Sequence, residues 1–169
     1  MKIPNVVCSL LICMFVLNVA SLSGQASTAS GGGTYFVEPG IRSEFQLSKS
    51  RVQCKIGHAV LPDGTGFQML MFSRSIDAAT IDSAAKKVVL TGTMVSIVNL
   101  RFTNGTTAQL TETVPYTAYA EDNGTPGAGT DFFSLTVEYT DTPGLDQFDL
   151  FGNPATFSGV LASGNIEVH

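Results

Sequence analysis

Tryptophan is absent from this 169-residue chain, histidine occurs twice, cysteine three times, and Lys86-Lys87 is the only adjacent basic pair. Each scarcity removes something. Without a basic run the surface cannot track phosphates, so nucleic acid is not expected as a partner. His169 is the terminal residue, where fraying is the default, and with His58 the only other histidine and one cysteine left after signal cleavage, zinc ligation of the usual kind lacks its donors. The missing Trp weakens a sugar-stacking platform, for which Tyr35, Tyr116 and Tyr119 are the remaining candidates. No serine sits in a nucleophile elbow, and no glycine pattern joins a strand to a helix as a dinucleotide loop requires. On these grounds the chain leans away from being an enzyme.

What is present begins at the amino end. Lys2 is followed by an apolar run from Val6 to Val19, broken only by Ser9 and Asn18, and then by small and polar residues. That order is a charged n-region, an h-region and a cleavage region, with Gly24 and Ala26 placed for cleavage after Ala26. The run is shorter than the roughly 20 apolar residues a membrane span needs, so no transmembrane segment is expected after cleavage. Cys8 and Cys13 lack the preceding small residue that lipid attachment requires. Residues 1–26 therefore read as a signal peptide, 27–33 as a flexible leader rich in Gly and Ser, and 34–169 as a single domain. The expected location is secreted, either extracellular or periplasmic.

Loss of the signal leaves Cys54 as the one cysteine, so no internal disulfide can form and stability must come from the core. It also leaves eight Lys and Arg against fourteen Asp and Glu, a net charge of −6. About 143 residues suffice for a sizeable core.

The dominant period in the mature chain is two. Phe133, Leu135, Val137 and Tyr139 alternate with polar residues, as do Val52, Cys54 and Ile56, with Ile41, Phe45 and Leu47 before them and Phe67, Met69 and Met71 after. Pro62-Asp63-Gly64-Thr65-Gly66 and Asn104-Gly105 carry hairpin chemistry. Val88, Leu90, Met94, Val98, Leu100 and Phe102 share one phase of a long strand, in which Gly92 is expected to mark a bulge or bend. Ala108 to Val114 follows, and Pro115 suggests an edge or a break before Tyr116. Ser163-Gly164-Asn165 reads as a turn before a last short strand. Only Ile76 to Lys87 has spacings compatible with a helical turn or two. The fold class is all-β: an antiparallel β-sandwich or flattened barrel of short strands joined largely by hairpins.

Asp122-Asn123-Gly124, Pro126-Gly127, Gly129-Thr130-Asp131-Phe132-Phe133 and Ser158-Gly159 with Leu161 and the run from Ser163 to His169 together resemble the post-COAP domain. The resemblance covers roughly residues 118–169. It implies an exported, mostly bacterial β module of unassigned activity, and it carries over no catalytic residue.

Candidate sites are few. Glu121, Asp122, Asn123 and Asp131 offer oxygen ligands around a glycine-rich loop and could hold calcium, although the spacing is not that of an EF-hand and Asx-turns explain the same residues. Cys54 and His58 would share a face of an unbroken strand, the placement a thiol and its base need, yet Gly57 between them should bend it. Glu112, Glu138, Asp141, Asp146 and Asp149 are the acids that a fold would have to gather for a carboxylate-based hydrolase. Asn104-Gly105-Thr106 and Asn123-Gly124-Thr125 fit the glycosylation sequon but coincide with turns. The leading expectation is a non-enzymatic exported module that binds a protein, a cell-surface polymer or its own copies. The alternatives are a small-ligand carrier with a barrel cavity and the hydrolase.

Overall fold

A computed structural model describes residues 27–140 and 153–169. The expected signal peptide, and with it Asp141, Asp146 and Asp149, lies outside the described residues. The described residues form nine strands: β1 (Ala29–Glu38), β2 (Ile41–Ser48), β3 (Arg51–Val60), β4 (Gly66–Ser73), β5 (Ala78–Asp82), β6 (Lys87–Arg101), β7 (Thr107–Glu121), β8 (Phe132–Val137) and β9 (Ala155–Val168). Among the described residues no helix is long and apolar enough to cross a membrane.

Every pairing is antiparallel, and the sheet order is β4-β3-β2-β1-β9-β8-β7-β6-β5. A further pairing of β4 with β6, from Gly66 opposite Arg101 to Ser73 opposite Met94, joins the sheet to itself. Eight strands thus close into a barrel, and β5 is an extra strand sharing the β6 edge below β4. Of the two architectures expected, the barrel fits: the described strands form one sheet closed on itself.

Period two explains the wall. The inward phases, including Val52, Cys54 and Ile56 on β3, Met69 and Met71 on β4, and Phe133, Leu135 and Val137 on β8, are buried. An eight-stranded barrel has an interior just wide enough for side chains to fill. Here Phe45 and Phe133 stack at 4.2 Å between ring centroids, and Tyr35 meets Phe133 at 5.7 Å. The two predicted hairpin turns are present, with Gly64 and Gly105 at φ +84° and +85°.

Five local expectations need correction. Residues 29–33 are not a flexible leader: β1 starts at Ala29 and pairs with both β2 and β9. Its glycines serve close packing, since a Cβ on Gly33 would lie 2.1 Å from the Ser163 carbonyl oxygen. Ser163-Gly164-Asn165 is no turn, because β9 runs through it in register with Thr34, Gly33 and Gly32, and the one register shift falls beside it, between Leu161 and Ser163. Gly92 leaves β6 in uninterrupted register with β7; its missing side chain admits the Ser75 carbonyl, 2.3 Å from where a Cβ would stand, as the chain steps from β4 to β5. Ile76 to Lys87 holds no helix: Ala78–Asp82 is a strand, and Asp82 closes the following turn by accepting the Ala84 and Ala85 N–H groups.

Pro115 does not break β7, which continues from Thr107 to Glu121. Its missing N–H falls just above the β8 ladder, which begins at Tyr116 opposite Val137.

Candidate functional site

The acidic loop after β7 is occupied with holding β9. Beyond Val160, β9 has no β8 residue beside it, and carboxylates of the loop take the place of the absent strand. Asp131, fully buried, accepts the Ile166 N–H at 2.7 Å on Oδ2 and the Asn123 N–H at 2.9 Å on Oδ1. Asp122 Oδ2 accepts the Val168 N–H at 3.1 Å, and Asn123 donates from Nδ2 to the Thr130 carbonyl at 3.0 Å. Glu121 accepts the Tyr119 hydroxyl and pairs with Lys87 at 3.1 Å, and these two groups hold its carboxyl below the usual range. The four residues expected to ligate calcium thus lie near one another, but carboxylate oxygens of Glu121, Asp122 and Asp131 accept from backbone N–H groups, the Tyr119 hydroxyl and Lys87. Among the described residues no group of three or more His, Cys, Asp or Glu side chains is placed to hold a metal ion.

Cys54 and His58 are separated by the shift in β3–β4 register between Ile56 and Ala59. Cys54 points into the barrel, where burial pushes its thiol up and Sγ lies 3.2 Å from Ser43 Oγ. His58 is exposed on the outside, so the thiol and imidazole do not meet. Glu112 accepts the Thr140 N–H at 2.9 Å, whereas Glu138 lies on the exposed phase of the wall; these two acids do not converge.

Two concave features among the described residues lie on the outer face of β3, β4 and β6. The register sets Leu70 opposite Ile97 and Phe72 opposite Val95, so four apolar side chains form a two-by-two block on the solvent side, each half-buried. Gln68 opposite Asn99 forms the next row, and Asn99 accepts from Gln109 Nε2 at 2.8 Å. Two grooves open beside the block. One, of about 620 Å³, is lined by His58, Gln68, Asn99, Arg101 and Gln109 over the floor left by Gly66, where a Cβ would lie 2.9 Å from the His58 ring. The other, of about 510 Å³, is lined by Arg51, Gln53, Leu70 and Phe72 with two serines.

Arg51, Lys55 and Arg101 border this face, and among the described residues none of the three joins an ion pair. An apolar floor, planar amides and unneutralised cations make a surface suited to binding. The signal in the sequence was Met69-Leu70-Met71-Phe72, where apolar residues occupy both phases of a strand. No family model matches the chain, and neither the curated proteins nor the solved structures contain a match to it.

Proposed function

We propose that the chain is an exported, non-enzymatic β module that binds through the outer face of β3, β4 and β6 and not through the barrel interior. One observation carries the reading: the half-buried block of Leu70, Phe72, Val95 and Ile97 lies between two open grooves and beside uncompensated cations. The cluster of Tyr35, Phe45 and Phe133 rings within the barrel, with Phe45 stacked on Phe133 and Tyr35 against both, weighs against carriage of a small ligand there. The likeness of the second half to the post-COAP domain favours the same class of exported module.

The test is retention of the purified domain on a glycan array and on insoluble cell-surface polysaccharides, beside size-exclusion behaviour. The Leu70→Ser, Phe72→Ser double variant is expected to lose whatever retention or association the parent shows. A parent that is strictly monomeric and retained nowhere, or a variant that behaves as the parent does, would overturn the assignment.

A further inference from the structure

The 14 Asp and Glu of this chain outnumber its nine Lys and Arg, yet β3, β4 and β6, which are neighbours in the wall, contain no acid at all. Register lays out their outward residues in rows. Lys55, Leu70, Ile97 and Thr111 form one row, and Gln53, Phe72, Val95 and Thr113 form the next toward the start of β3. Arg51 stands four residues before Lys55 at that end, and Arg101 stands four residues beyond Ile97 at the other. At about 3.3 Å per residue, the two arginines are about 27 Å apart along the strands. Each lines one of the two grooves.

Acids lie only on the borders of this face. Glu44 on β2 is in register with Lys55, and exposed Arg42, two residues before Glu44, adds a cation beside Gly57. Asp63, in the turn between β3 and β4, accepts the Thr65 N–H and hydroxyl. Asp77 follows Arg74 in the link to β5, and Glu112, on the other phase of β7, accepts from Thr140. Among the described residues none of these acids forms an ion pair with Arg51 or Arg101. The face is thus net positive in an acidic protein, with uncompensated arginines at its ends and neutral groups between them. Gln109 donates to Asn99 at 2.8 Å, which fixes both amides near Arg101 and leaves each a further polar group to offer.

We propose that the occupant of this face is a linear acidic polysaccharide, with carboxylates on Arg51 and Arg101 and sugar rings over the apolar block; this deepens the functional reading above and rests on it. An arginine fork matches the two oxygens of a carboxylate. Amides and threonine hydroxyls supply donors and acceptors for sugar hydroxyls, while the C–H faces of the rings cover Leu70, Phe72, Val95 and Ile97 and remove them from water. The sparseness of the charge selects against nucleic acid. Phosphates recur at about 3.4 Å of rise along each strand, so a span with cations chiefly at its ends leaves most of them unmatched.

Biolayer interferometry of the purified domain on immobilised hyaluronan, alginate and polygalacturonate, each beside its carboxyl-reduced neutral form, tests this. At least one acidic polymer should bind, and its reduced form should bind roughly tenfold more weakly or worse. Raising salt from about 0.05 M to about 0.5 M, where exposed charges are screened, should weaken binding by a similar factor. Arg51→Gln with Arg101→Gln should reproduce the effect of carboxyl reduction, with an unchanged urea midpoint showing that the double variant is folded. Carboxyl reduction leaves the protein untouched, so it decides the matter even where the variant is unstable. No binding to any of the three, equal binding to the reduced forms, or a folded double variant that binds as the parent does would overturn the proposal. Tighter binding to oligodeoxythymidylate or to polyglutamate would do the same. Retention of a neutral glycan that is lost in the Leu70→Ser, Phe72→Ser variant would refute the acidic class while leaving the functional reading intact.

Discussion

Removing the Asp131 carboxylate should show whether the loop after β7 is a clamp or a cation site. Asp131→Ala deletes two acceptors at once, from the Ile166 N–H at 2.7 Å and the Asn123 N–H at 2.9 Å. Hydrogen bonds to a charged group contribute about 1.5–3 kcal/mol each. The losses are unequal. Ile166 is buried, so its N–H would be left without water, whereas exposed Asn123 can turn to solvent. The net destabilisation should be about 2–4 kcal/mol, lowering the melting temperature by roughly 10 °C in a domain of this size. Asp131→Asn, which keeps one acceptor, should fall between that and the parent. Urea unfolding in excess chelator and in millimolar calcium is the assay. The expected result is the same stability in both buffers for the parent, and a large loss in Asp131→Ala in both. A loss below about 1 kcal/mol would contradict the clamp. Calcium-dependent stabilisation of the parent that vanishes in Asp131→Asn would restore the cation site.

Alkali should unfold the barrel steeply. Burial pushes Tyr116 and Tyr139 up to about 12 and raises Tyr35 and Cys54 as well. These groups hold their protons more tightly folded than unfolded, so their contribution is complete below their unfolded values and is lost as pH rises toward the folded ones. Between about pH 10 and 12 each should remove roughly 1.4 kcal/mol per pH unit, and a flat urea midpoint across that range would refute the linkage. Gly33→Ala should cost about 3 kcal/mol through collision with the Ser163 carbonyl, against less than about 1 kcal/mol for Gly32→Ala, whose nearest contact would be 3.3 Å; equal unfolding midpoints for the two would argue against close β1–β9 packing. Buried Cys54 should resist a mild thiol reagent until denaturant is added, and labelling of the native protein at the rate of a free thiol would show the barrel wall to be open there.

Alternation in the sequence placed most of the core, because period two states directly which side of a strand is dry. Phe133, Leu135 and Val137 are buried as that pattern requires, and so are Val88, Leu90 and Met94. Glycine was harder to read, since one residue type serves opposite ends. At Gly64 and Gly105 it supplies positive φ in turns, as local chemistry indicates. At Gly31, Gly33 and Gly92 it admits another backbone, and only the tertiary partner, 130 residues away for Gly33, reveals that. Closure through β4 and β6 was beyond local reading for the same reason, as nothing in either strand names its second neighbour. The acidic loop was legible as a group of oxygens. Its use was not, because the donors that Asp122 and Asp131 satisfy are backbone groups of β9, which carry no side-chain signature. The outer face of β4 and β6 escaped because its apolar residues become a patch only when register sets Leu70 beside Ile97.

The pairing of the first strand with the last has a consequence for how the chain is made. Thr28 and His169 exchange backbone hydrogen bonds of 2.8 Å in both directions, so the two ends of the described chain form one seam. A chain delivered amino end first, from a ribosome or through a pore, presents β1 well before its partner β9, with seven strands between them. Until Ile166 and Val168 arrive, one edge of β1 and the hydrophobic lumen stay open to whatever else is nearby, the condition in which strands of different molecules recruit one another. Speed of delivery and length of tail thus become determinants of yield, and loss of the last few residues would leave the seam unsewn.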